Sequence, residues 1–465
     1  GMIKTKYYPH PLENIQVEAV AVNDKGSLAS MQFSAEPISF IFEGQPFTIQ
    51  ANLQNFENLK YNIAPSGTVD IGKIYQVFSQ KGIGVKGFIK TNLLLRGLQS
   101  DATGGRYGRL YNSGTASLTD VQVSSDYFPQ PFIIKNGLFR INQDKMWFEK
   151  FNASYGKTSL TLNGYLFNII NYAMQENAPL QGQFDLITDH LFADEFMLYA
   201  GDTASAAGDS SGVVIIPPNL DMTFNAAAKK ITYNNLDLQD FKGGITLNNG
   251  KLTLNKTGFQ LIDAPVEMDA TYQSISPKKA IFTYHITAKD FDIKRAYHEI
   301  KIFHDLASSA AKAEGIVSLD YTLNGKLNAN MQAIYPSLQG GGTLSLQDVK
   351  LNGLKLFGAV SKATNKDSVN NPNLKKVDIK TTIANNIITI ERTKMKIFGF
   401  RPRFEGQTSF DGKLNLSGRI GLPPFGILGI PFSVTGTSDN PQVKLHREKD
   451  ADKLEETKED AETDE

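Results

Sequence analysis

Residues Gly342 to Phe357, GTLSLQDVKLNGLKLF, set Leu344, Leu346, Val349 and Leu351 among Ser345, Gln347, Asp348 and Lys350. A period of two sends successive side chains to opposite faces, so the stretch predicts a half-buried β-strand; its alternation slips once, at Gln347-Asp348, which predicts a bulge. The phrase recurs. From Gly114 the chain reads GTASLTDVQVSSDYF, and from Ala227 a worn copy reads AAKKITYNNLDLQDF. The starts lie roughly 114 residues apart, which predicts duplication of one supersecondary unit.

Turn chemistry extends the pattern. Asn136-Gly137 within Ile133 to Ile141, and Asn249-Gly250 within Ile245 to Leu254, supply the positive φ angles of a two-residue hairpin turn. Glu43-Gly44 and Asn385-Asn386 occupy corresponding places, so four equivalent hairpins are expected. Residues 1 to 12, with Pro9 and Pro11, read as irregular. Three stretches read as helices, each opening on Asp and closing on Gly: 70–82, 189–201 and 292–314. Residues 200–212 are small and polar and read as a flexible loop, and GLPPFGILGIPF, residues 421–432, as an irregular apolar turn.

The expected fold is therefore mainly β, within the α+β class: an elongated, curved antiparallel sheet or groove of about four repeated β units with three short capping helices. Its divisions are 1–112, 113–226, 227–341 and 342–445, followed by an acidic, disordered tail over 446–465. Abundant strand formers agree, with 29 Phe, 17 Tyr and 39 Gly in a chain that is only 41% hydrophobic.

Chemistry is harder to find. GIGVKG at Gly82 to Gly87 matches a dinucleotide fingerprint, but it opens a strand instead of a helix, which removes the dipole that holds a pyrophosphate. Gly208-Asp-Ser-Ser-Gly212 matches a nucleophile elbow around Ser210, but it lies in the loop 200–212. His298-Glu299 starts like a zinc helix, yet Ile302 stands where the second ligand belongs. Asp120 and Asp348 share a repeat position, which suits backbone bonding at a bulge better than catalysis. No catalytic, cofactor or metal residues are expected, and the chain reads as a non-enzyme. Scattered Lys and Arg exclude a nucleic-acid stripe, and the absence of Cys excludes disulfides and thiolate sites. No segment is long and apolar enough for a transmembrane helix, and the Gly before Met2 reads as an expression remnant, so an excised soluble part is expected.

Residues 315–445 resemble the C-terminal region of the AsmA family. GIVSLDYTLNGKL, YPSLQGGGTLSLQDVKLNGLKLFGAV, IANNIITIERTKMKIFGFRPRFEGQTSFDGKLNLSGRI and PFSVTGTSDNPQV follow that family's order. The resemblance implies a periplasmic protein of a Gram-negative envelope, anchored in the inner membrane and supporting outer-membrane biogenesis. By kinship with bridge-like lipid transfer proteins it further implies a β-groove that conducts phospholipid, with envelope proteins as further partners. The family's N-terminal anchor has no counterpart in the sequence given.

An apolar sheet face must be covered by helices, by a second sheet, by its own curl or by a ligand. Candidate groove-lining residues, one pair per hairpin, are Phe47 and Ile49, Phe139 and Ile141, Leu252 and Leu254, and Ile388 and Ile390. Phe425, Ile427, Leu428 and Ile430 form a candidate membrane-contact loop. The competing expectation is a structural scaffold or interaction protein with a closed, dry core.

Overall fold

A computed structural model describes residues 1–5, 8–42, 44–72, 83–125, 128–169, 172, 178–196, 212–300, 303–304, 308–353, 358, 361, 371–397, 399–423, 428–438 and 440–446. Among the described residues the protein is mainly β, with 73% of them in strands, and the 24 strands they form belong to one open sheet. The chain divides into two compact units, Gly1–Tyr233 with Phe241–Thr253, and Asn234–Asp240 with Leu254–Glu465.

In the first unit the strands are β1 (Ile3–Thr5), β2 (Tyr8–Asn23), β3 (Met31–Phe42), β4 (Gln45–Gln54), β5 (Lys60–Asp70), β6 (Ile83–Leu98), β7 (Tyr111–Ser125), β8 (Phe128–Asn142), β9 (Lys145–Tyr155), β10 (Thr158–Phe167), β11 (Leu180–Phe192) and β12 (Leu220–Tyr233). Each pairs antiparallel with the next, except that β11 and β12 run parallel. β13 (Leu236–Asn248) and β14 (Lys251–Leu261) carry residues of both units.

The second unit continues with β15 (Ala264–Ser276), β16 (Lys279–Asp292), β17 (Ala313–Leu327), β18 (Gln339–Leu351), β19 (Asn373–Ala384), β20 (Ile387–Lys394), β21 (Arg401–Ser409), β22 (Lys413–Gly421), β23 (Gly429–Thr437) and β24 (Pro441–Leu445). From β15 onward every consecutive pair is antiparallel.

Three of the four expected hairpins form. Gly44 (φ 73°) sits between β3 and β4, Asn249 and Gly250 (49° and 72°) turn β13 into β14, and Asn385 and Asn386 (52° and 66°) turn β19 into β20. The fourth does not. Asn136 and Gly137 lie inside β8, and the chain reverses later, at Gln143 (φ 57°) before β9. Gly137 is needed for space instead: a Cβ there would stand 2.7 Å from the Phe151 ring of β9.

The helix expectations fare less well. Residues 189–192 belong to β11, and only a 3₁₀ turn, Ala193–Phe196, follows; 197–201 lie outside the described residues. Pairing of β11 on both edges overrides its local helical pattern, with Asp189 exposed and bound to Lys229 at 2.7 Å. The long helix expected over 292–314 is interrupted: α2 (Ile293–Glu299) ends before Ile300; Phe303 and His304 are again helical, and a 3₁₀ turn Ser308–Lys312 leads into β17, while 301–302 and 305–307 lie outside the described residues. Its cap is as expected, the Asp292 carboxylate accepting the Arg295 N–H at 2.8 Å. Asp70 similarly accepts the Gly72 N–H at 3.0 Å, but 73–82 lie outside the described residues. A helix with too few residues to show periodicity, α1 (Gln99–Thr103), escapes the sequence reading.

A further expectation is corrected. Residues 1–12 are not irregular but contribute β1 and the start of β2; β3 pairs with β2 only from Leu12 on, so Pro9 and Pro11 sit where a missing N–H is tolerated. In the apolar stretch 421–432, Gly421 pairs with Gly429 and the Leu422 N–H bonds to the Leu428 carbonyl at 2.7 Å, while 424–427 lie outside the described residues.

Candidate functional site

Cross-strand register collects the apolar side chains of the first unit onto one face. Phe40 pairs with Phe47, Phe47 with Gly67, Gly67 with Thr91, Thr91 with Ala116, and Ala116 with Phe139. The row continues through Phe148, Gly164, Phe184 and Phe224. It therefore crosses ten strands, about 43 Å at the ordinary strand spacing. Beside it run Ile38, Ile49 and Pro65 at one end, and Gly114, Ile141, Met146, Leu166, Gly182 and Met222 at the other. Four of the expected lining residues, Phe47, Ile49, Phe139 and Ile141, thus share one face, and all four are half-buried.

Glycine spaces the aromatic rings. Gly164 leaves a gap on β10, and Phe148 of β9 and Phe184 of β11 meet through it edge to face at 5.1 Å, although a strand separates them. Phe139 and Phe148 meet at 4.5 Å, and Phe184 and Phe224 stack at 5.6 Å, so rings line much of the row. Phe40 and Phe47 make a similar pair at 5.4 Å beside Gly67. Aromatic rings laid over strand glycines let a sheet bend without losing apolar cover.

In the second unit one row runs Tyr284, Leu323, Gly340, Ile383, Ile388 and Thr408. The next runs Ile286, Tyr321, Gly342, Thr381, Ile390 and Gly406. Ile388 and Ile390 therefore also lie on an apolar face, but they differ. Ile390 is half-buried, whereas Ile388 is buried among Leu323, Leu338 and Ile383, as core. Leu252 and Leu254 stand two apart on one side of β14, both half-buried; Leu252 belongs to the first unit and Leu254 to the second. Of the proposed membrane loop, Phe425 and Ile427 lie outside the described residues, Leu428 is 63% exposed, and Ile430 pairs with Ile420 inside the sheet.

Bulges recur across both units. Asp120, Lys150, Asp240, Lys256, Asp290 and Asp348 all have φ between 47° and 54°, and each precedes a buried residue: Val121, Phe151, Phe241, Thr257, Phe291 and Val349. The expectation of bulges at Asp120 and Asp348 is met, two residues there facing one glycine, Gly87 and Gly315 respectively. A bulge adds twist and re-aims the next side chain, which here delivers it to the core. Gly84 and Gly87 of the dinucleotide-like string lie within β6, so that string never meets a helix N-terminus.

The duplication takes a different form from the one expected. The worn copy from Ala227 is not one strand but the end of β12, a turn at Asn234-Asn235 and the start of β13; Asp240 is the counterpart of Asp120 and Asp348. What repeats is a larger device, displaced by 228 residues: Gly87, Gly97, Tyr107, Leu110, Asp120 and Val121 recur as Gly315, Gly325, Tyr335, Leu338, Asp348 and Val349. In both copies the strand-to-strand connection folds back as a lid. Tyr107 and Tyr335 each open a 3₁₀ turn, the Leu110 and Leu338 N–H groups bond to the respective tyrosine carbonyls at 3.0 Å, and each leucine fills the notch over a glycine, Gly97 or Gly325.

The lids are anchored differently. In the first, the buried Asp101 carboxylate binds Arg106 at 2.6 Å. In the second, the Ser337 hydroxyl accepts the Lys326 N–H at 2.9 Å, and Tyr335 stacks on Phe410 at 5.1 Å.

The opposite face carries charge and polar groups. Arg140 binds Glu149, His285 binds Asp320, and Lys375 binds Asp348, all substantially exposed pairs of small energetic weight. Trp147, the only tryptophan, is 40% exposed on this side and touches Tyr165 at 4.8 Å. Among the described residues no three His, Asp or Glu side chains cluster as a metal site, and no helix is long and apolar enough to cross a membrane. Ser210 lies outside the described residues.

Two tyrosines of the second unit's apolar face titrate abnormally. Burial pushes the Tyr284 phenol far up, and burial raises Tyr321 too, partly offset by its 2.7 Å hydrogen bond with Thr381. A raised folded-state pKa means that the neutral form is favoured in the fold. The associated stability is complete below the free tyrosine value near 10 and is lost as pH rises through the folded value. Urea midpoints are expected to fall steeply above about pH 10, and Tyr284→Phe is expected to flatten that fall. Equal alkaline slopes in the two proteins would show that Tyr284 is not the source.

No protein-family model, curated protein or solved structure matches the chain. The fold and the site together define an open, single-sheet β protein in which each of the two units carries an apolar row spaced by strand glycines.

Proposed function

We propose that the chain is a non-enzymatic acyl-lipid-binding protein whose apolar face is a groove that holds or conducts phospholipid. It carries this out in the periplasm of a Gram-negative envelope, in support of outer-membrane biogenesis and in the manner of the AsmA family it resembles. The finer architecture is a curved, elongated groove built from repeated β units. What supports this is the ten-strand row from Phe40 to Phe224, in register and bounded by half-buried Phe, Ile, Met and Leu, with no second sheet over it among the described residues.

Half-covered rings are costly unless something apolar covers them. An acyl chain supplies about 0.8 kcal/mol per buried methylene, so a few methylenes offset the loss of translational freedom on binding. The polar groups of the lipid remain in water at the edge of the groove.

The test is lipid extraction and mass spectrometry of the full chain purified from a bacterial host without detergent. Phospholipid is expected at near-stoichiometric occupancy, reduced several-fold by Phe148→Asp. Protein that is lipid-free from the host and after incubation with several lipid mixtures contradicts the proposal.

A further inference from the structure

We infer that the two lids are acyl-chain stops, so that Tyr107 and Leu110 in the first unit, and Tyr335 and Leu338 in the second, set how long a chain each unit accepts. This rests on the lipid-binding reading above.

The lids lie on the face that carries the apolar rows. Gly97 pairs with Tyr61, which pairs with Leu53 and through it with Phe33, all on the side of Phe47. Gly325 pairs with Phe282, which pairs with Tyr272. Each lid thus closes the strand ends of the apolar face, where a longer ligand would have to continue.

Both copies, 228 residues apart, seat Tyr and Leu in the same order, on the same 3₁₀ turn and over the same glycine notch. Their anchors differ, an Asp101 ion pair in one and a Tyr335 to Phe410 stack in the other. What is shared is the apolar stop, and what varies is the means of holding it.

The bulges close the opposite end of the same strands. Val121 and Val349 are buried there beside Gly87 and Gly315, so the half-open part of the face lies between a bulge cluster and a lid. Such a bounded span discriminates by length, because a methylene that cannot pass the stop stays in water.

The full chain, delipidated, is offered an equimolar pair of phosphatidylethanolamines that differ only in acyl length, and bound species are read by native mass spectrometry. Tyr335→Ala and Leu338→Ala in one unit, and Tyr107→Ala and Leu110→Ala in the other, are expected to raise the ratio of long to short lipid by up to about fourfold per added methylene. Offered by itself, the short lipid is expected to bind these variants as it binds the native chain. Tyr335 is half-buried, so Tyr335→Ala serves if loss of the buried leucines prevents folding. A folded Tyr335→Ala protein that binds lipid with the wild-type ratio overturns the inference while leaving lipid binding intact. A wild-type chain that takes up neither lipid overturns both.

Discussion

Gly164→Val is expected to be among the most damaging single changes in the first unit, lowering its stability by about 4 kcal/mol and its Tm by about 8–16 °C. Gly164 has φ 153°, where a side chain is strained, and an added Cβ would run into the Gln183 carbonyl oxygen and lie 2.7 Å from the Phe184 ring. The carbonyl belongs to the β10 and β11 ladder and cannot retreat without breaking it. The ring cannot retreat without leaving Phe148. Fluorescence of Trp147, on the neighbouring strand β9, reports the transition locally. Gly258→Ala is the control: its Cβ would meet nothing closer than a Val266 carbonyl at 4.0 Å, so a change within about 0.5 kcal/mol is expected. Equal losses at the two glycines would contradict the close-approach explanation.

Phe151→Ala follows, with an expected cost of about 3–5 kcal/mol. The ring is buried with Leu118, Val121, Ile134 and Ala153, touches Phe148 at 5.2 Å and Phe139 at 5.8 Å, and fills the space that Gly137 leaves. Its position depends on the positive φ of Lys150, which re-aims it inward. Removing the ring leaves a cavity bounded by two strands and a glycine, with little able to collapse into it. A urea midpoint unchanged by Phe151→Ala would show that this cluster is not the core of its unit.

The class of fold, three hairpins, the bulges at Asp120 and Asp348 and the Asp292 cap were legible because each depends on local chemistry: alternation, Asn and Gly at positive φ, a carboxylate near free N–H groups. What was not legible depended on pairing. Asn136-Gly137 carries the same Asn-Gly hairpin signal as Asn249-Gly250, yet Gly137 serves to admit Phe151 from β9, a contact no local reading contains. Residues 189–192 have helical spacing and become strand because β10 and β12 flank β11. The candidate lining was readable as alternating apolar pairs, but only register unites Phe47 with Phe139 across five strands. The burial of Ile388 is illegible for the same reason, since Leu338, fifty residues earlier, packs in the same cluster. Of the lids, the paired signal was present in the sequence as Tyr-x-x-Leu beside a strand glycine, 228 residues apart.

The central claim is that acyl chains lie against one face of this sheet and not the other. Trp147 and Phe139 make the two sides separately observable: they sit on neighbouring strands, Trp147 opposite Arg140 on the polar side and Phe139 opposite Phe148 on the apolar side. Quenching by phospholipid brominated on its acyl chain is to be compared between the native protein and a Phe139→Trp, Trp147→Phe double variant. Strong quenching of the indole at position 139 with little quenching of native Trp147 is the predicted result. Equal quenching of the two, or none of either at saturating lipid, would contradict the account.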